Sequence, residues 1–76
     1  MKSVQVILNS IEKVTKFVQV VSKFDNKFEL MADRYVVDAK SVIGVFSLNL
    51  ANPICLMIYA EENIEQIMNA LTGYII

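Results

Sequence analysis

The sequence predicts an α+β fold in which one sheet carries helices on one face. Short segments alternate apolar and polar residues, the period of a strand. Longer segments repeat apolar residues at three- and four-residue spacing, the period of an amphipathic helix. Asn, Ser, Asp, Gly and Pro fall between them, where caps and turns need them. The resulting order is β-α-β-β-α-β-α. At 76 residues there is room for one core, and no linker, repeat or low-complexity stretch interrupts the chain, so residues 1–76 read as a single domain.

Each element has its own signal. Val4, Val6 and Leu8 alternate with Ser3, Gln5 and the also apolar Ile7, giving a first strand with one inward face and a mixed outer one. Asn9 and Ser10 compete to cap the first helix, Asn9 forming a capping-box variant with Glu12. Ile11, Val14, Val18 and Val21 then supply an apolar stripe, opposite Glu12, Lys16, Gln19 and Lys23. Many of these apolar residues are β-branched, so packing rather than propensity holds the helix. Asp25-Asn26 ends it. Phe28 and Leu30 alternate with Lys27, Glu29 and Met31 in a second strand. Ala32-Asp33-Arg34 turns it into a third, around Tyr35, Val36 and Val37. Ser41 caps a short helix running to Leu48. Asn52-Pro53 leads into a fourth strand, Ile54 to Tyr59. Asn63, with Gln66 at the reciprocal position, caps a last helix striped by Ile64, Ile67, Met68 and Leu71 and closed by Gly73.

Composition narrows the function. Seven basic and eight acidic residues are interspersed, with no basic block and no aromatic–cation stacking pattern, which argues against nucleic acid as a partner. Apolar runs are far shorter than the roughly 20 residues of a membrane span. The N-terminal apolar stretch is too short for a signal peptide. Cys55 is the only cysteine, so no internal disulfide forms, and the expected compartment is the reducing cytoplasm. Cys55 has no histidine partner and no neighbouring cation, and reads as an inert apolar residue. Asp33, Asp38, Glu61 and Glu62 show no metal spacing, and there is no Gly-rich phosphate loop; neither metal nor cofactor is expected. The absence of a nucleophile–base pair argues against an enzyme. At 55% hydrophobic residues and a mean hydropathy of +0.48, the chain is rich in apolar residues for its size, and such a surplus often marks a partner surface.

Two segments, Val21-Ser22-Lys23-Phe24 and Lys40-Ser41-Val42-Ile43-Gly44-Val45-Phe46-Ser47-Leu48, resemble the HPr phosphocarrier family of the bacterial sugar phosphotransferase system. The second is the specific one: lysine, regulatory serine, two apolar residues, glycine, two apolar residues, serine, leucine. The resemblance covers roughly residues 3–71. It implies an open-faced sandwich, three helices on one side of a four-stranded antiparallel sheet. Members of the family accept a phosphoryl group on a histidine at the start of the first helix, with an arginine and a proline shortly after. Counting back from Lys23 places Ser10 at the approximate position of that histidine, Glu12 at the arginine and Lys13 at the proline.

This chain has no histidine anywhere. An imidazole near neutral pKa takes and releases a phosphoryl group reversibly; a serine ester is far less labile. Glu12 replaces a phosphate-stabilising cation with a charge of the wrong sign. In the family that arginine contacts the upstream phosphotransferase enzyme and a carbohydrate-control repressor, so a reversed charge disfavours the usual partners. As a first-turn acid, Glu12 also suits the helix dipole. Ser41 matches the serine that a dedicated kinase phosphorylates in many Gram-positive bacteria, while on the residues alone it is a helix cap. Val42, Ile43 and Phe46 match apolar positions of the family's docking surface; the competing reading makes Ile43 and Phe46 core, as Val45 and Leu48 are expected to be.

The fourth strand is apolar on both sides: Ile54, Leu56 and Ile58 on one, Cys55, Met57 and Tyr59 on the other. Ile7 and Met31 are expected to join the second set on the open side of the sheet, as a surface for self-association or a partner, unless Tyr74-Ile75-Ile76 covers it. Two readings result: a non-catalytic HPr-like regulatory or interaction module with a protein partner and a serine kinase acting on Ser41, or a structural homodimer or accessory subunit joined through the sheet face.

Overall fold

A computed structural model describes residues 1–76. The elements are β1 (Lys2–Val6), α1 (Ile11–Ser22), β2 (Lys27–Ala32), β3 (Tyr35–Asp38), α2 (Val42–Phe46), β4 (Ile54–Tyr59) and α3 (Ile64–Ala70). The four strands form one antiparallel sheet in the order β1-β4-β2-β3. β4 is central. It pairs with β1 through Val4↔Leu56 and Val6↔Ile54, and with β2 through Phe28↔Ile58 and Leu30↔Leu56. Side chains directly opposite one another leave the same face, so Val6, Phe28, Leu30, Ile54, Leu56 and Ile58 line one side together. All six are buried, and the helices cover them with Val14, Phe17, Val18, Val21, Val45 and Ile67. The core of 17 buried residues contains no polar side chain.

β2 and β3 are joined by a two-residue loop, Asp33-Arg34, closed by the pair Ala32↔Tyr35. Asp33 has a φ of 54°. A two-residue hairpin needs a left-handed residue there, and aspartate is among the few side chains that tolerate it.

Four expectations change. Ile11 is not part of the buried stripe; it is 75% exposed. It lies about 70° round the helix from the centre of the buried face, at the first helical position. Phe17 fills the core instead, with its ring edge-on to Tyr74 at 5.6 Å. The second helix is a single turn that ends at Phe46 rather than Leu48. Asn63 makes no side-chain cap. Its amide exchanges hydrogen bonds with Asn26: Asn63 Nδ2 donates to Asn26 Oδ1 at 2.8 Å, and Asn26 Nδ2 donates to Asn63 Oδ1 at 3.3 Å. Asn26 Nδ2 also donates to the Tyr59 carbonyl at 3.2 Å. Gly73 is not a left-handed cap either, since no glycine has a positive φ and an added Cβ would meet nothing within 4 Å.

The C-terminal residues do not cover the sheet face. They run along its edge: the Ile7 N–H donates to the Tyr74 carbonyl at 2.9 Å and the Ile76 N–H to the Gln5 carbonyl at 3.0 Å, with Val6 bridged to Ile75. That edge of β1 is thereby blocked, and the face between β1 and β3 is left open. No helix is long and apolar enough to cross a membrane.

Candidate functional site around the starts of the first two helices

Ser10 is the N-cap of α1. Its backbone is extended and its Oγ accepts a hydrogen bond from the Lys13 N–H at 3.1 Å. Of the two competing caps it is Ser10 that serves, satisfying one of the free donors at the helix start. One turn on, the Glu12 carboxylate accepts from Lys16 Nζ at 2.9 Å. That bond, with the charge of Lys16, holds the Glu12 carboxyl below its ordinary range and lifts the Lys16 ammonium above its own. Both groups are exposed, so water and salt screen the pair.

Ser41 caps α2 in the same way, its Oγ accepting from the Gly44 N–H at 3.1 Å. Gly44 lets the cap sit close: a Cβ there would stand 3.2 Å from Ser41 Oγ and 3.4 Å from Val37 Cβ. Ser41 is exposed. The lysine beside it is occupied elsewhere. Lys40 Nζ donates to the Phe24 carbonyl at 2.7 Å and lies 5.7 Å from the centre of the Phe28 ring.

Along α2, Val45 points into the core, as does Leu48 just beyond it. Val42, Ile43 and Phe46 are 39%, 84% and 42% exposed. Phe46, Leu50 and Ala51 face Asn9, Ser10 and Ile11 across a shallow depression of about 360 Å³. The fold therefore brings Ser10 and Phe46 to one surface and adds Ile11 and Leu50 to it. Ser41 lies at the other end of α2 and does not border the depression. Ile11 and Leu50 were not picked out as surface residues from sequence. For Ile11 the available signal was its first-turn position, ahead of the part of the helix that crosses the sheet.

The open sheet face carries two cross-strand rows, Ser3-Met57-Glu29-Asp38 and Gln5-Cys55-Met31-Val36, with Tyr59 beside Lys27. The predicted face is thus not a continuous apolar surface: Met31, Val36, Cys55 and Met57 form a small apolar patch flanked by polar groups. Tyr59 OH donates to Glu29 Oε1 at 2.5 Å, and Lys27 Nζ lies 3.6 Å from Glu29 Oε2 and 5.3 Å from the centre of the Tyr59 ring. The hydrogen bond to Glu29, then burial, pushes the Tyr59 phenol above its ordinary pKa. Ile7 is half-buried just past the end of β1, tied to Tyr74.

Comparison with known proteins agrees with this architecture. The family model PTS-HPr, described as "PTS HPr component phosphorylation site", matches residues 12–76, starting just after Ser10. Among solved structures, HPr-C-His from Thermoanaerobacter tengcongensis superposes with a TM-score of 0.79 at 28% identity, covering 96% of this chain and 89% of that one. The phosphocarrier protein HPr from Bacillus anthracis gives 0.72 at 26% identity, with 99% and 94% coverage. A mycoplasma histidine-containing phosphocarrier protein shares the fold at 0.71 and 14% identity, with 95% and 86% coverage. No curated protein sequence matches significantly. With the family model spanning most of the chain and the four-stranded antiparallel sheet and three helices in agreement, the chain belongs to the HPr family of the phosphotransferase system, as a member without a histidine.

Proposed function

We propose that this protein is a non-catalytic HPr-like regulatory or interaction module, which acts by binding and carries no phosphoryl group on its first helix. The carrying observation is that the chain contains no histidine; Ser10, at the approximate position that the resemblance gives the phosphoacceptor, has its oxygen committed to capping α1, and Glu12, counted to the arginine position, pairs with Lys16. The neighbouring apolar residues Ile11 and Phe46 are nonetheless exposed, as is Ile43 on α2, as a docking surface requires. In this reading Val42, Ile43 and Phe46 bind a protein partner, and Ser41 is the regulated residue. Support for Ser41 comes from its exposure and the surrounding family motif, not from a strong helix dipole, since α2 is only five residues long.

Intact-mass analysis after incubation with ATP and the family's serine kinase tests it. The expected result is one added phosphate that disappears in Ser41→Ala. No added phosphate leaves Ser41 as a passive cap and removes the regulatory half of the proposal.

The partly exposed patch of Met31, Cys55 and Met57 favours a second reading, a homodimer or accessory subunit joined through the sheet face, with Ile7 and Tyr59 at its margins. A monomeric mass in light scattering across a wide concentration range sinks the homodimer form.

A further inference from the structure

Three sulfur atoms belong to one neighbourhood on the open side of the sheet, the side away from Ser10 and Ser41. Cys55 and Met57 are two residues apart on β4, so their side chains leave the same face. Cys55 Sγ lies 3.9 Å from Met57 Sδ. Met31 of β2 is the direct cross-strand partner of Cys55 and shares that face. Met31 is exposed and the other two are half-buried, so all three are open to a solute.

We infer that Met31, Cys55 and Met57 form a binding site for a soft monovalent metal ion, Cu(I). The donor set decides the metal. Thiolate and thioether sulfur favour Cu(I), and thioethers contribute little to harder cations such as Mg²⁺ or Ca²⁺. No group of three or more His, Cys, Asp or Glu side chains is placed to hold a metal, so this face offers no competing hard or borderline site. The nearest carboxylate, Glu29, is already engaged by Tyr59 and Lys27.

Geometry agrees with the donor set. With metal–sulfur bonds of about 2.3 Å, the sulfurs of a trigonal site stand about 4 Å apart. Cys55 and Met57 already hold that separation. Met31, opposite Cys55 on the same face, is unbranched and has three rotatable side-chain bonds with which to bring its sulfur to the third corner. On binding, the Cys55 thiol gives its proton to solvent and the thiolate bonds to Cu(I), while each methionine donates a sulfur lone pair. No electron is transferred. The resulting complex is neutral, which suits an apolar patch beside Val36.

Anaerobic titration of the protein against the coloured Cu(I)–bicinchoninate complex tests this. The expected result is withdrawal of one Cu(I) per chain. Met31→Leu and Met57→Leu keep the side-chain volume and are each expected to weaken binding on the order of ten-fold. Cys55→Ser is expected to abolish it, with the circular dichroism spectrum of every variant unchanged. Failure of the wild-type protein to withdraw copper overturns the site. So does unchanged affinity in the Met31→Leu/Met57→Leu double variant, which would mark a bare thiol binding alone. So does one Cu(I) shared between two cross-linked chains. None of these outcomes depends on Ser41.

Discussion

At the scale of single residues, two hydroxyls carry most of the interpretation, and both accept a hydrogen bond from a helix start. Ser10 and Ser41 each hold the N–H three residues on. Removing either by alanine is expected to cost about 1 kcal/mol in denaturant unfolding. Gly44 is coupled to Ser41. In the Ser41→Ala background, Gly44→Ala no longer faces an oxygen at 3.2 Å, and it is expected to stabilise by about 0.5–1 kcal/mol through helix propensity. In the wild-type background that gain should largely vanish, and a double-mutant cycle reads the difference. The Tyr59 phenol supplies a pH test. Its folded pKa is raised by Glu29, so its contribution to stability is present below the unfolded tyrosine value and lost as pH rises through the folded one. Glu29→Gln should lower the phenol midpoint seen in an ultraviolet titration and weaken that loss. For Glu12 the sign is opposite. Its carboxyl is lowered, so the small contribution of the Lys16 pair is present above the unfolded carboxylate value and fades as pH falls through the folded one.

At the scale of elements, what could be read from sequence was what depends on local period. The bounds of β4, the inward faces of β1 and β2, and the cap of α2 all follow from alternation or from one residue type at one spacing. The misreadings involve partners distant in the chain. Phe17 is the exception, since it lies three residues after Val14 and four before Val21 on the buried stripe, where local period alone places it. Asn63 gives up its capping role because Asn26, on the other loop, completes its amide. Gly73 is no cap because the residues after it are held to the edge of β1. Substitution should separate the two apolar residues of α1 most sharply. Phe17→Ala is expected to cost about 3–5 kcal/mol. Ile11→Ala, at an exposed site, should stay within about 0.5 kcal/mol. Comparable losses for the two in chemical denaturation would contradict the assigned helix face. The candidate site was legible in its parts for the same reason. Ser10 and Phe46 were marked by motif, but their shared depression arises only when the loop after α2 brings Leu50 and Ala51 beside Asn9.

At the scale of the whole molecule, the helix-covered side and the open side do different work. The helices bury one face of the sheet in an entirely apolar core and present Ile11 and Phe46 outward beside Ser10, with Ile43 exposed on α2. The other face keeps a small sulfur-rich patch among polar neighbours. The scaffold of the family is intact, while the group that defines its carrier chemistry is absent. The most direct measurement is incubation with the family's upstream phosphotransferase enzyme and its phosphodonor, followed by assay of acid-labile phosphate on this chain. The wild-type protein is predicted to take up none, and Ser10→His/Glu12→Arg to gain a measurable amount. Acid-labile phosphate on the wild-type protein would contradict the account.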